Sequence, residues 1–256
     1  MPLPRFYIDK IGISQVNMDV ALKYIDKSIN DNKLGYICVT NSRTTYIANK
    51  DLSYCNIQNN SLLTLPDGTP LVWIAHLRGL KHINRVSGPD LLNKILALSP
   101  SKNYSHYFFG STPTTISLIG ENLIKEFQDL EIKGLVSPPF QPLEAFDIDA
   151  LANEINKLKP TFFWCGLGAP KQEKLIALLQ PKLKATISIG VGLAFEYYAG
   201  TVKLPPKIIS KLHLEWLYRC GQQPIKARRF IIPFFSMLLK LVQNFIFAKH
   251  FNRSYR

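Results

Sequence analysis

Gly166-Leu-Gly-Ala-Pro-Lys-Gln-Glu173 follows an apolar run, Thr161-Phe-Phe-Trp-Cys165, and opens a helical pattern that continues to Leu179. Gly166 and Gly168 let a backbone approach a ligand closely, and Pro170 suits a first helical turn, where its missing N–H costs nothing. The free amides behind it can receive an anionic or polar group, so phosphate and sugar are natural guests. Gln172 and Glu173 stand where they can hydrogen-bond such a guest, although a first-turn glutamate also serves the helix dipole. Turns of this kind occur in many nucleotide-binding folds, so other positions must narrow the chemistry.

Asp67 lies in Leu65-Pro-Asp-Gly-Thr69, after the apolar run Leu62–Leu65. A positioned carboxylate can take the proton of a hydroxyl, but local sequence alone favours a turn or helix-cap aspartate. Arg85, in Arg85-Val-Ser-Gly-Pro-Asp-Leu91, stands beside a Gly-Pro turn and a helix start, well placed for phosphate. Thr40 and Asn41 end another β-type run, where an asparagine either faces a ligand crevice or caps a helix. Gly110-Ser-Thr-Pro113 reads first as a capped helix start and only second as a nucleotide turn. The only D-x-D, Asp147-Ile-Asp149, opens a helical run, where capping outweighs metal binding. The five histidines form no triad and no ligand spacing.

These residues need a scaffold that gathers them. Short β-type runs cover 35–40, 62–65, 106–109, 132–136, 161–165 and 185–189, and helical patterns cover 19–30, 44–59, 69–77, 89–98, 113–127, 147–158 and 170–179. Strands and helices alternating at these intervals predict an α/β fold, a mostly parallel sheet flanked by helices, with ligands beyond the carboxyl ends of the strands. The paired prolines near 201–206 mark the best boundary, between a core, 1–200, and a helical appendage, 201–256.

The formal charge of +13 sits almost wholly in that appendage: residues 203–256 hold eleven Lys/Arg and a single acid, Glu215. Within it, Phe230–Phe247 has thirteen apolar residues of eighteen. Pro233, Lys240, Gln243 and Asn244 make it a poor membrane span, and Ser236, Lys240, Gln243 and Asn244 share one helical face. The aromatic richness and basic flanks favour an in-plane amphipathic helix on an anionic membrane surface over packing on the protein's own core. They suit lipid better than nucleic acid. Trp216 reads as core or interface. The four cysteines are scattered and show no C-x-x-C, so neither a disulfide nor a structural zinc is expected. The first residues lack the apolar core of a secretory signal, which predicts a cytoplasmic protein.

Five spaced motifs, the Gly166, Asp67 and Arg85 segments with Gly190-Val-Gly-Leu-Ala-Phe195 and Leu214-Glu-Trp-Leu-Tyr-Arg219, occur in an order that resembles the WecG/TagA/CpsF glycosyltransferases, from about Phe6 to about Arg229. The resemblance implies a Rossmann-like core and inverting transfer from a UDP-sugar, N-acetylmannosamine or its uronic acid, to a polyprenyl-diphosphate-linked GlcNAc acceptor in surface polysaccharide or teichoic acid synthesis. A related hexosyl transfer in capsule or exopolysaccharide synthesis is the alternative within it. It further implies Asp67 as catalytic base, substrate contacts from Thr40, Asn41, Arg85, Gly166, Gly168, Pro170, Gln172 and Glu173, and diphosphate contacts from Arg219, Arg228 and Arg229. No cofactor and no metal are expected, and the enzyme would work at the inner face of the bacterial cytoplasmic membrane, with homo-oligomers compatible. Two readings of other classes stand against it: a nicotinamide-dependent oxidoreductase, disfavoured because no Gly-x-Gly-x-x-Gly follows the first strand, and a basic module that binds nucleic acid or membrane without catalysis.

Overall fold

The computed structural model describes residues 2–206, 208–209, 215–222 and 227–253, with side chains of the last segment as far as Phe245. Six parallel strands form the central sheet: β3 (Tyr36–Thr40), β4 (Leu63–Pro66), β5 (Ser105–Gly110), β6 (Glu131–Val136), β7 (Phe162–Gly166) and β8 (Ile187–Gly190), in the spatial order β4-β3-β8-β7-β5-β6. All six were expected from their apolar runs. The sheet is parallel throughout.

Alternate side chains of the central strands enter opposite layers, as the two-residue period of a strand requires. Phe108, Phe162, Trp164, Ile187 and Ile189 face one core, while Cys38, Tyr107, Phe109, Phe163 and Cys165 face the other. Helices cover both sides, which is why these strands read as near-continuous apolar runs. His106 belongs to this interior: its Nδ1 accepts from Trp164 Nε1 at 3.0 Å, its other ring nitrogen meets Ser99 Oγ at 2.9 Å, and burial pulls its pKa down to about 3. It is a neutral core residue.

Helices α1 (Met18–Asn30), α4 (Thr69–Leu77), α5 (Gly88–Lys102), α6 (Pro113–Glu126), α7 (Ile148–Leu158) and α8 (Lys171–Leu179) follow the sequence pattern closely. The single helix expected over 44–59 is instead two, α2 (Ser42–Lys50) and α3 (Leu52–Asn60). Asp51 divides them, because its carboxylate caps the second helix at Tyr54 N, 3.1 Å, and accepts the Ser53 hydroxyl at 2.7 Å. A short helix, α9 (Ala194–Tyr198), follows β8.

An antiparallel hairpin, β1 (Arg5–Ile8) and β2 (Ile11–Ser14), was not foreseen. Its turn is Asp9-Lys10, with Asp9 at φ 52° and no glycine to signal the reversal. Phe6, Ile8, Ile11 and Ile13 build a third apolar cluster with Leu71, Ile74 and, from the far end of the chain, Met237.

Met237 lies on the last helix, α11 (Arg228–Arg253), which follows α10 (Glu215–Gln222) and packs on α2 and α4. The polar face expected to look to water is partly turned inward: Lys240 pairs with Asp9, and Asn244 Oδ1 accepts from Arg78 Nε at 2.8 Å. Met237, Lys240, Leu241 and Asn244 recur at three and four residues, so they share the face that grips the core. Several other apolar residues stay exposed, Phe235 at 52 %, Leu239 at 67 % and Val242 at 50 %. The helix therefore packs on its own core with one face and keeps a second apolar face in solvent. Among the described residues no helix is long and apolar enough to cross a membrane.

Candidate active site

The carboxyl ends of the parallel strands form one rim, and the loops that leave it carry most of the residues singled out in the sequence. Asp67 follows β4 immediately, and its N–H donates to the Thr40 carbonyl at 2.8 Å, which ties it to the end of β3. Its carboxylate is 14 % exposed. Asn41 Nδ2 reaches Asp67 Oδ2 at 3.5 Å, while Asn41 Oδ1 caps α2 through Arg43 N at 3.0 Å and Thr44 N at 3.3 Å. Both roles open to Asn41 in the sequence are thus filled by the two ends of one amide. Thr40 is buried, and its hydroxyl donates to Gln58 Oε1 at 2.6 Å, beneath the rim rather than on it.

Arg85 was expected at phosphate. Its guanidinium clasps the aspartate: Nε donates to the Asp67 carbonyl at 2.6 Å, one terminal nitrogen lies 3.4 Å from Asp67 Oδ1, and the other donates to Glu215 Oε1 at 2.7 Å. Burial works against the guanidinium charge, but the carboxylates of Asp67 and Glu215 outweigh it and hold its pKa above the ordinary arginine value. Glu215, the lone acid of the basic tail, was assigned no role from sequence. Its proximity to Arg85 appears only when α10 is brought onto the rim.

The Gly166 turn is more self-contained than its glycines suggest. A Cβ on Gly166 would stand 2.4 Å from the Phe195 ring, so the close approach there is made by a core side chain. Gly168, at φ 79°, needs the left-handed region, and its N–H donates to Gln172 Oε1 at 3.0 Å. Gln172 Nε2 donates onward to Glu173 Oε1 at 2.8 Å. Pro170 precedes α8 as its N-cap residue rather than standing inside the first turn. Gln172 and Glu173 are both buried, so they brace the turn from behind. Burial pushes the Glu173 carboxyl above its ordinary pKa, while hydrogen bonds from Gln172 and Tyr54 and the charge of Arg43 pull the other way.

Arg43 was missed, although it stands two residues after Asn41. It donates to the Ala169 carbonyl at 3.0 Å, and burial followed by the nearby positive charge of Arg229 lowers its pKa. Arg43 thus stands at the Gly168–Pro170 turn, with the charge of Arg229 close enough to act on it. Arg228 is exposed on the same helix end, and the Arg219 side chain lies outside the described residues.

At the other end of the rim, Glu196 Oε1 accepts from Ser111 Oγ at 2.8 Å, and Ser137 Oγ donates to the Ser111 carbonyl at 2.8 Å. Glu196 Oε2 is buried with no hydrogen-bond partner among the described residues. Such an orphaned acceptor is costly unless a donor arrives, so this corner suits a hydroxyl-bearing guest. The signal was present in Gly110-Ser-Thr-Pro113, read as a helix start, and in the Gly190–Phe195 motif, which stops one residue short of Glu196.

The D-x-D lies in another use altogether. Asp147 caps α7 through Ala150 N at 2.9 Å, and Asp149 pairs with Lys182 at 2.6 Å.

Comparison with known proteins returns one family over nearly the whole chain. The model of the glycosyl transferase WecG/TagA/CpsF family matches residues 6–250. Among curated proteins, an N-acetylglucosaminyldiphosphoundecaprenol N-acetyl-beta-D-mannosaminyltransferase of Bacillus subtilis (strain 168) is 27 % identical over 90 % of this chain and 89 % of its own length. Proteins of the same name from Bacillus spizizenii (strain ATCC 23059 / NRRL B-14472 / W23) and Staphylococcus aureus (strain NCTC 8325 / PS 47) are 26 % and 24 % identical, over 79 % and 83 % of this chain and 77 % and 81 % of theirs.

Proposed function

The chain belongs to the WecG/TagA/CpsF family of glycosyl transferases, and from that premise we propose that it transfers N-acetylmannosamine from UDP-N-acetylmannosamine to a GlcNAc residue carried on a polyprenyl diphosphate. The single observation that carries this reading is the Asp67 carboxylate on the rim, steadied by Asn41 and Arg85, with the Arg43 cation at the neighbouring turn.

Asp67 takes the proton of the acceptor hydroxyl as its oxygen attacks the anomeric carbon from the face opposite the leaving group. The bond from that carbon to the diphosphate oxygen breaks, and UDP departs with the electron pair. Arg43 and Arg229, which repel one another in the free protein, meet the diphosphate charge there, and fixed cations need no reorganisation as that charge develops. From β4 to β5 the rim spans four strand spacings, about 19 Å. A nucleotide sugar laid along it puts its sugar at Asp67 and its ribose hydroxyls at Glu196 and Ser111. Gly166, Gly168, Pro170, Gln172, Glu173 and Thr40 keep the shape of the rim in this scheme.

The exposed apolar face of α11 and its basic residues dock the enzyme on an anionic membrane surface, where a lipid-linked acceptor resides. Residues 201–256 act as an appendage to the catalytic core, since α10 supplies Glu215 to Arg85 on the rim. Charge neutralisation by arginines makes the reaction independent of a metal. UDP release from a panel of UDP-sugars, with GlcNAc-diphosphate-polyprenol in liposomes and EDTA present, tests the whole reading. Release that requires the acceptor, is greatest with UDP-N-acetylmannosamine and survives EDTA is expected; acceptor-independent release or silence with every donor would refute it.

A further inference from the structure

Between α4 and α11 lies a groove of about 430 Å³, walled by Trp73 and Leu77 on one side, Leu241, Val242 and Phe245 on the other, with Lys81 and His76 at its margin. Its volume falls within the range of small-molecule sites. Two contacts fix its walls: the hydrogen bond from Arg78 to Asn244 at 2.8 Å, and the insertion of Met237 into the hairpin cluster. The ring of His76 is held through Nε2 by the Ile83 carbonyl at 2.8 Å.

One helix joins the groove to the rim. Helix α4 begins two residues after Asp67, and its residues divide by face: Leu71, Val72, Ile74 and Ala75 are buried, whereas Thr69, Trp73 and Leu77, four apart, are only partly so. That second face leads from the base to the groove. At 1.5 Å per residue, Trp73 and Leu77 stand about 9–15 Å along the chain axis from Asp67, a gap that a sugar and a diphosphate fill. Beyond the groove, Val242 and Phe245 pass into the exposed apolar stripe of α11, 50 % and 45 % open to solvent.

We propose that this groove seats the first isoprene units of the acceptor lipid, so that the enzyme reads the chain next to the diphosphate as well as the sugar. The proposal rests on the acceptor class given above. It makes the enzyme select against acceptors whose diphosphate carries no hydrocarbon.

Calorimetric titration of the full chain with farnesyl diphosphate and with inorganic diphosphate, in buffer free of lipid and detergent, tests it without any transfer reaction. Wild type is expected to bind farnesyl diphosphate at least tenfold more tightly, as burial of a few hydrocarbon units demands. Val242→Glu should abolish that preference, Phe245→Ser should reduce it, and Leu239→Glu, on the exposed stripe outside the groove, should keep it. No preference in wild type, or an undiminished one in Val242→Glu and Phe245→Ser, would overturn the groove. So would weakened liposome binding in Val242→Glu with farnesyl affinity intact, which would give this surface to the bilayer. Transfer is measured alongside: a wild type that transfers but shows no preference overturns the groove alone. A preserved preference in a protein that transfers to no GlcNAc acceptor supports the groove and overturns the proposed function.

Discussion

Asp67→Asn is expected to lower kcat for sugar transfer by roughly 10²–10⁴-fold, the contribution of a positioned general base, while KM for the UDP-sugar changes little. Asparagine has the same shape, and the N–H of residue 67 would still donate to the Thr40 carbonyl, as it does at 2.8 Å. Arg85 would keep its bonds to the residue 67 carbonyl and to Glu215, at 2.6 and 2.7 Å. What is lost is the capacity to accept a proton. Steady-state kinetics with the acceptor varied, alongside thermal unfolding, separate this from damage to the fold. A variant with wild-type turnover would remove Asp67 from the chemistry.

Arg85→Ala should cost roughly 10²–10³-fold in kcat/KM, comparable to removal of one fixed charge-stabilising group from an active site. Two carboxylates, 14 % and 20 % exposed, would then lose the cation between them. Their repulsion would swing Asp67 away from Asn41 and loosen α10 from the rim. Glu215→Gln probes the second half of the clasp separately. It should leave donor KM near wild type and reduce kcat less than Arg85→Ala does. Arg85→Lys restores charge but not the three-point hold, because a lysine ammonium lacks the planar fork, and should recover only part of the activity. Full recovery in the lysine variant would mean that charge alone matters at this position.

The sheet was legible because a parallel strand covered on both sides must be apolar at nearly every position, as Phe162-Phe-Trp-Cys165 is. Asp67, Asn41 and the Gly166 turn were legible for a related reason: each follows such a run directly, and the ends of parallel strands face the ligand crevice. Arg85 was singled out for phosphate, and no local pattern says that Glu215, 130 residues away, will also meet it. Arg43 and Glu196 escaped notice because their significance is relational. One matters through the Ala169 carbonyl and Arg229, the other through an orphaned oxygen beside Ser111. Gln172 and Glu173 read as ligand contacts because a first helical turn exposes some residues and buries others, and only the packing of α8 on the sheet decides which. The final helix carried two apolar faces in one run. Sequence periodicity could not divide Met237, which enters the core, from Leu239, which remains 67 % exposed.

The central claim is a single displacement driven by one carboxylate base, and it fixes the stereochemistry of the product. Attack opposite the leaving group inverts the anomeric centre, so an α-linked UDP-N-acetylmannosamine must yield a β-linked disaccharide. The direct measurement is the anomeric configuration of the disaccharide, released from its lipid and examined by nuclear magnetic resonance. A β linkage, formed by wild type and nearly absent with Asp67→Asn, is the predicted result. An α linkage would require a second displacement and a covalent or ion-pair intermediate, and would contradict the role given to Asp67.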